Sequence, residues 1–133
     1  MRKVLIPLLT LGFFATSVYC GNYSPDQLDQ IQDQFDSQLS ALVGSINTTL
    51  NAIHYNPVPS QYQTTMNGYK NKLITLKNNL DYLDSDVEDF FMGATSSKSA
   101  VNSKMKGFRA TLSSYTSQVY TTQTQVQNLL SHR

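Results

Sequence analysis

The sequence predicts an all-α protein, an antiparallel up-down-up three-helix bundle with coiled-coil-like heptad seams that follows a cleaved signal peptide. Three observations lead there. Two stretches, Tyr62 to Phe90 and Val101 to Leu129, place their seam residues at alternating intervals of four and three. A third, Leu28 to Ile53, is helically periodic at a slightly longer spacing. Turn and capping residues separate the three. The expected division is a signal peptide over 1–20 and a bundle over 21–133, with helices at about 24–55, 60–92 and 97–131.

The leader reads from its charge and hydropathy. Arg2 and Lys3 precede an apolar run from Val4 to Phe14, which relaxes into Ala15, Thr16 and Ser17. That is the layout of a secretory signal peptide, and the run falls short of the ~20 residues that span a bilayer. Cleavage after Cys20 puts Val18 and Cys20 at the −3 and −1 positions, and cleavage after Ser17 puts Ala15 and Ser17 there. A bacterial lipoprotein reading, with Cys20 lipidated, meets bulky Tyr19 where a small residue is wanted. The expected location is therefore secreted and extracellular, or the periplasm or a surface lipoprotein if the source is bacterial. Membrane association is expected only if Cys20 carries lipid.

Helix one begins at Ser24-Pro25-Asp26-Gln27. Serine is a favoured N-cap, proline suits the first helical position, and glutamine at N3 completes a capping box. Asp26 and Asp29 suit the positive end of the helix dipole. Leu28, Ile31, Phe35, Leu39, Leu42, Ile46, Leu50 and Ile53 make its apolar stripe, with Leu28, Leu39 and Leu50 eleven apart. A repeat of eleven tracks a nearly straight helix and not a left-handed supercoil.

Pro57 and Pro59 end that helix, because each removes a donor and biases its predecessor away from helical angles. A second capping box is expected at Ser60 to Gln63. The seam of helix two is then Tyr62, Met66, Tyr69, Leu73, Leu76, Leu80, Leu83, Val87 and Phe90. A heptad repeat keeps these side chains on one narrow stripe that must be buried. Gly93 is expected as a left-handed C-cap, and the serines and threonine that follow offer several N-caps for helix three. Its seam is Val101, Met105, Phe108, Leu112, Tyr115, Val119, Thr122, Val126 and Leu129, with Thr122 the one polar member. Two equal seams joined by a short turn make a helical hairpin whose groove helix one can fill.

Charged residues are only 14% of the chain, so the bundle is expected to be held by its core. The formal charge is +1 and becomes −1 when Arg2 and Lys3 leave with the leader, which excludes the dense positive surface of a nucleic-acid binder. The charges are zoned. Asp26, Asp29, Asp33 and Asp36 open helix one, Asp81, Asp84, Asp86, Glu88 and Asp89 close helix two, and Lys98, Lys104, Lys106 and Arg109 open helix three. In an up-down-up bundle the three clusters share one end, with the basic set expected to lie beside both acidic ones.

No catalytic or metal-binding residue is predicted, and no cofactor. Cys20 is the single cysteine, which excludes an intrachain disulfide, and the histidines are His54 and His132. Asp84-Ser85-Asp86-Val87-Glu88 alternates like the start of a calcium loop but has Asp89 where such a loop needs glycine,. Asn47-Thr48-Thr49 and Asn22-Tyr23-Ser24 are N-glycosylation acceptors in a eukaryote,. Asn47 lies off the helix-one stripe, so a glycan there is sterically expected to fit. Tyr82 and Tyr120, with Ile74, Phe91 and Leu130, fall beside the seams and either cover helix one or form an apolar patch.

The function expected on these grounds is a secreted, non-enzymatic helical bundle acting through protein–protein interaction with an extracellular partner. Two alternatives stand beside it: an extracellular lipid-binding or surface-active amphipathic protein, and a self-assembling coiled coil in which the seams make a homo-oligomer.

Overall fold

A computed structural model of the chain describes residues 21–93 and 96–132, so the expected leader and Cys20 lie outside the described residues. Three α-helices make up the fold: α1 (Pro25–Tyr55), α2 (Ser60–Met92) and α3 (Lys98–Leu130). All three pack on one another. Ring and side-chain contacts fix their directions. Phe35 of α1 meets Phe108 of α3 at 6.2 Å, and Gln123 of α3 reaches Ser45 and Thr49 of α1, so α1 and α3 run parallel. Phe90 meets Phe108 at 6.1 Å and Tyr62 meets His132 at 6.1 Å, so α2 runs antiparallel to α3.

The helix ends follow local chemistry, with two departures from expectation. Ser24 forms the full capping box: its Oγ accepts from the Gln27 N–H at 3.2 Å, and Gln27 Oε1 accepts from the Ser24 N–H at 2.9 Å. At α2 the expected box does not form. Pro59 occupies the N-cap with no side-chain cap bond, because Ser60 is already the first helical residue; the Tyr62 N–H instead donates to the Pro59 carbonyl at 2.9 Å. Nor is Gly93 left-handed. Its φ of −69° and ψ of 166° are extended, and its N–H donates to the Phe90 carbonyl at 3.1 Å. Glycine is wanted there for space, since a Cβ would lie 3.1 Å from that same carbonyl oxygen. Ser97 caps α3 through the Ala100 N–H.

One continuous core runs the length of the bundle. From α1 it takes Ile31, Phe35, Leu39, Leu42 and Ile46; from α2, Met66, Leu73, Leu76, Leu80, Leu83 and Val87; from α3, Val101, Met105, Phe108, Leu112, Val119, Val126 and Leu130. Leu28, Leu50, Ile53, Tyr69, Phe90, Tyr115 and Leu129 are half-buried against it, as is Tyr62 at the edge. At the end of α3 it is Leu130, beside the seam, that buries more deeply than Leu129.

Candidate functional site

Among the described residues the polar chemistry lies in three arrangements, a trough and the exposed helix faces. The first arrangement is a strap ahead of α1. Gly21 has φ of +97°, a left-handed conformation natural to glycine,. Its carbonyl accepts from the Lys98 N–H at 3.0 Å, and the Tyr23 N–H donates to the Ser96 carbonyl at 2.8 Å, so that Asn22 bridges Ser97 in an antiparallel pair. Tyr23 is buried, its hydroxyl donates to Asn102 Oδ1 at 2.6 Å, and Lys98 Nζ lies 5.5 Å from its ring centroid, within cation–π range.

The second is a polar layer inside the α1–α3 interface. Gln123 is 2% exposed. Its Nε2 donates to Ser45 Oγ at 2.7 Å, to Thr49 Oγ1 at 3.0 Å and to the Ser45 carbonyl at 3.3 Å. That carbonyl can only accept, which fixes the amide orientation and leaves Gln123 Oε1 buried with no partner. Thr49 and Thr122 are also buried, each returning its hydroxyl proton to its own helix, at the Ser45 and Gln118 carbonyls.

The third is acidic. Burial, and then Asp84, Glu88 and Asp33 in that order, hold the Asp36 carboxyl above its ordinary value; a hydrogen bond with Asp84 raises it further. The acidic groups of α1 and α2 therefore face each other around Asp36. The ammonium of Lys104 lies over Phe108, as Lys98 does over Tyr23. Arg109 is partly buried near Ile31, Gln34, Phe35 and Gln38. Burial lowers its pKa, opposed by the Tyr23 interaction, yet a guanidinium stays charged throughout the biological range.

Between α2 and α3 lies an open trough with a volume of about 450 Å³, bounded by Phe90, Lys104, Gly107 and Phe108 among others. Among the described residues no group of three or more His, Cys, Asp or Glu could hold a metal ion. Neither does any described helix have the length and apolarity to cross a membrane. His54 stacks edge-on with Tyr55 at 4.8 Å, and His132 Nδ1 lies 2.6 Å from the Asn128 carbonyl, so each ring is engaged locally.

Of the two glycosylation triplets, Asn22 is exposed but its neighbour Ser24 caps α1. Asn47 is half-buried, and the Thr49 hydroxyl of its triplet lies in the core; the expected room for a glycan is thus smaller than the stripe position implied. Tyr82 and Tyr120 do not cover α1: both are exposed. Tyr23, Gln123 and Asp36 escaped sequence reasoning as site residues, because none stands on a stripe. One signal was readable: Tyr23 immediately precedes a capping box, the place of a hydrophobic staple. Compared with known proteins, the chain matches no family model, no curated protein and no solved structure.

Proposed function

We propose that this chain is a secreted, non-enzymatic helical-bundle protein that acts through protein–protein interaction with an extracellular partner, its seams packing as in a coiled coil. The observation that carries the reading is the character of the exposed helix faces. Tyr55, Tyr82, Tyr120, Ile74 and Met92 stand out as large apolar or aromatic side chains on the exposed surface, with Tyr82 71% and Met92 83% exposed. Tyrosine and methionine are enriched at interfaces, where charge is depleted, and a tyrosine supplies a large contact area at little entropic cost. Secretion rests on the Arg2-Lys3 and Val4-to-Phe14 layout, and glycosylation at Asn22 or Asn47 would accompany it in a eukaryote.

The test is recovery of binding partners from native extracellular fluid by the tagged protein, compared with a Tyr82→Ser/Tyr120→Ser variant of unchanged helicity. A partner captured by the first and lost by the second supports the reading. Equal recovery by both would remove these tyrosines from the interface. N-terminal mass spectrometry of the exported chain tests secretion and locates the cleavage. The lipid-binding alternative has less behind it, since the seam side chains fill a closed core. Self-assembly through the seams is likewise unsupported, because most of those residues are buried within a single chain.

A further inference from the structure

Tyr82 differs from the other exposed tyrosines in its surroundings. Asp81 precedes it, and Asp84, Asp86, Glu88 and Asp89 follow. Tyr55 stands between His54 and Asn56, and no charged residue lies between Ala110 and Ser131 around Tyr120. Helical spacing sorts the acids near Tyr82. Asp84 and Glu88 turn toward α1, where they meet Asp36. Asp86 stands one turn beyond Tyr82 on the same ridge and Asp89 a second turn on. Both are exposed, as is Asp81 on the adjoining flank. Lys77, the nearest basic residue in sequence, is half-buried and falls on the far flank of the helix. Tyr82 is itself 71% exposed. Its phenol hydroxyl is therefore a nucleophile held out in water on an anionic ridge, and that charge is an address a basic cleft can read.

We infer that Tyr82 is a site of O-sulfation, made as the chain is exported. The inference rests on the secretion reading, since it needs a secretory compartment. The co-substrate is a nucleotide-activated sulfate, a mixed anhydride of sulfate and a nucleoside phosphate. The Tyr82 phenol oxygen attacks its sulfur and forms the ester S–O bond. The bond from sulfur to the bridging anhydride oxygen breaks, its electron pair leaves with the nucleotide phosphate, and the phenol proton passes to a base of the transferase. Nothing is oxidised or reduced. A transferase that binds so anionic a donor has a basic cleft, which Asp81, Asp86 and Asp89 favour. Sulfate adds a single negative charge where phosphate adds nearly two, the smaller load beside carboxylates already present. The sulfated ridge also defines the partner's side of the Tyr82 contact: a basic surface, with arginine matched to the oxyanion.

Peptide mapping by accurate mass of the chain recovered from its own extracellular fluid tests this, with the N-terminus read in the same run. The expected result is sulfate on the Tyr82 peptide, lost in acid and resistant to phosphatase, with the Tyr55 and Tyr120 peptides unmodified. In a second arm the purified, folded chain meets a tyrosyl-protein sulfotransferase and the activated sulfate donor. Tyr82→Phe should abolish incorporation. Asp81→Asn/Asp86→Asn should slow it about tenfold at unchanged helicity, the worth of two exposed charge contacts, and added salt should slow it too. An exported chain with unmodified Tyr82 overturns the inference and leaves the secretion reading in place. Phosphate instead of sulfate, equal incorporation at Tyr55 and Tyr120, or a rate indifferent to both aspartates does the same. A chain that keeps its leader and stays inside the cell overturns the secretion reading, and this inference with it.

Discussion

Replacing Gln123 with methionine should stabilise this bundle, although it removes three contacts from the core. The amide has two hydrogens to share among Ser45 Oγ, Thr49 Oγ1 and the Ser45 carbonyl. At about 1 kcal/mol net per hydrogen bond, the loss is about 2 kcal/mol. Against it stands the buried, unpartnered Oε1, whose removal returns a desolvation penalty of about 1–3 kcal/mol. The apolar end of methionine adds about 1 kcal/mol more. Thr49 keeps its donor satisfied by the Ser45 carbonyl at 3.1 Å, so no new donor is orphaned there. The balance favours methionine by about 1 kcal/mol, while Gln123→Ala leaves a cavity as well and should cost about 2–4 kcal/mol. Urea unfolding followed by far-UV circular dichroism reads both. A methionine variant less stable than the natural chain by about 2 kcal/mol would refute the reasoning, since the amide would then be worth more than the orphaned carbonyl costs.

Three further outcomes are expected. Leu76, 1% exposed, should not tolerate aspartate: Leu76→Asp buries an unpaired charge and should abolish the cooperative melt seen by circular dichroism. Tyr23→Phe removes the bond to Asn102 at 2.6 Å and should cost about 1 kcal/mol, with faster hydrogen exchange at the Lys98 amide of the strap and little change at the Tyr62 end. Asp36 should make the bundle less stable as pH rises: its folded pKa stands above the ordinary 3.8, so the folded state holds the proton more tightly than the unfolded one. That contribution is complete below 3.8 and lost as pH rises through the raised folded value; Asp36→Asn should remove this slope from a melting series and melt higher at neutral pH.

The fold was legible where one backbone rule or one repeat decides the outcome. Ser24-Pro25 could hardly start anything but a helix, and its capping box forms; Pro57 and Pro59 leave α1 no route onward. The apolar stripes give three amphipathic helices, and short connections make them a bundle. The departures come where two local solutions compete. Ser60 could cap α2 only from outside it, but Pro59 already carries the extended φ and ψ of an N-cap and takes the position. Gly93 suits a left-handed cap or a crowded extended turn equally well, and it takes the second, with its N–H on the Phe90 carbonyl.

The site residues were less legible for a geometric reason. A heptad seam describes a helix facing one neighbour, with a narrow apolar stripe. In a three-helix bundle each helix faces two, so the buried arc widens and flank positions become interface. Gln123 adjoins Thr122 in sequence, and both are buried; a stripe reading keeps the first in solvent. Asp36 adjoins Phe35, and only the approach of α2 turns its flank into a place where Asp84 and Glu88 oppose it. Tyr23 extends the argument beyond the helices. It precedes the N-cap as Leu28 follows in the first turns; Tyr23 belongs to the core cluster and Leu28 packs against it, so the angle at which the chain enters α1 is tied to the bundle. Because Tyr23 also bonds Ser96 and Asn102, whatever sets that angle also sets how α3 begins, a coupling carried by contacts 79 residues apart that no local periodicity contains.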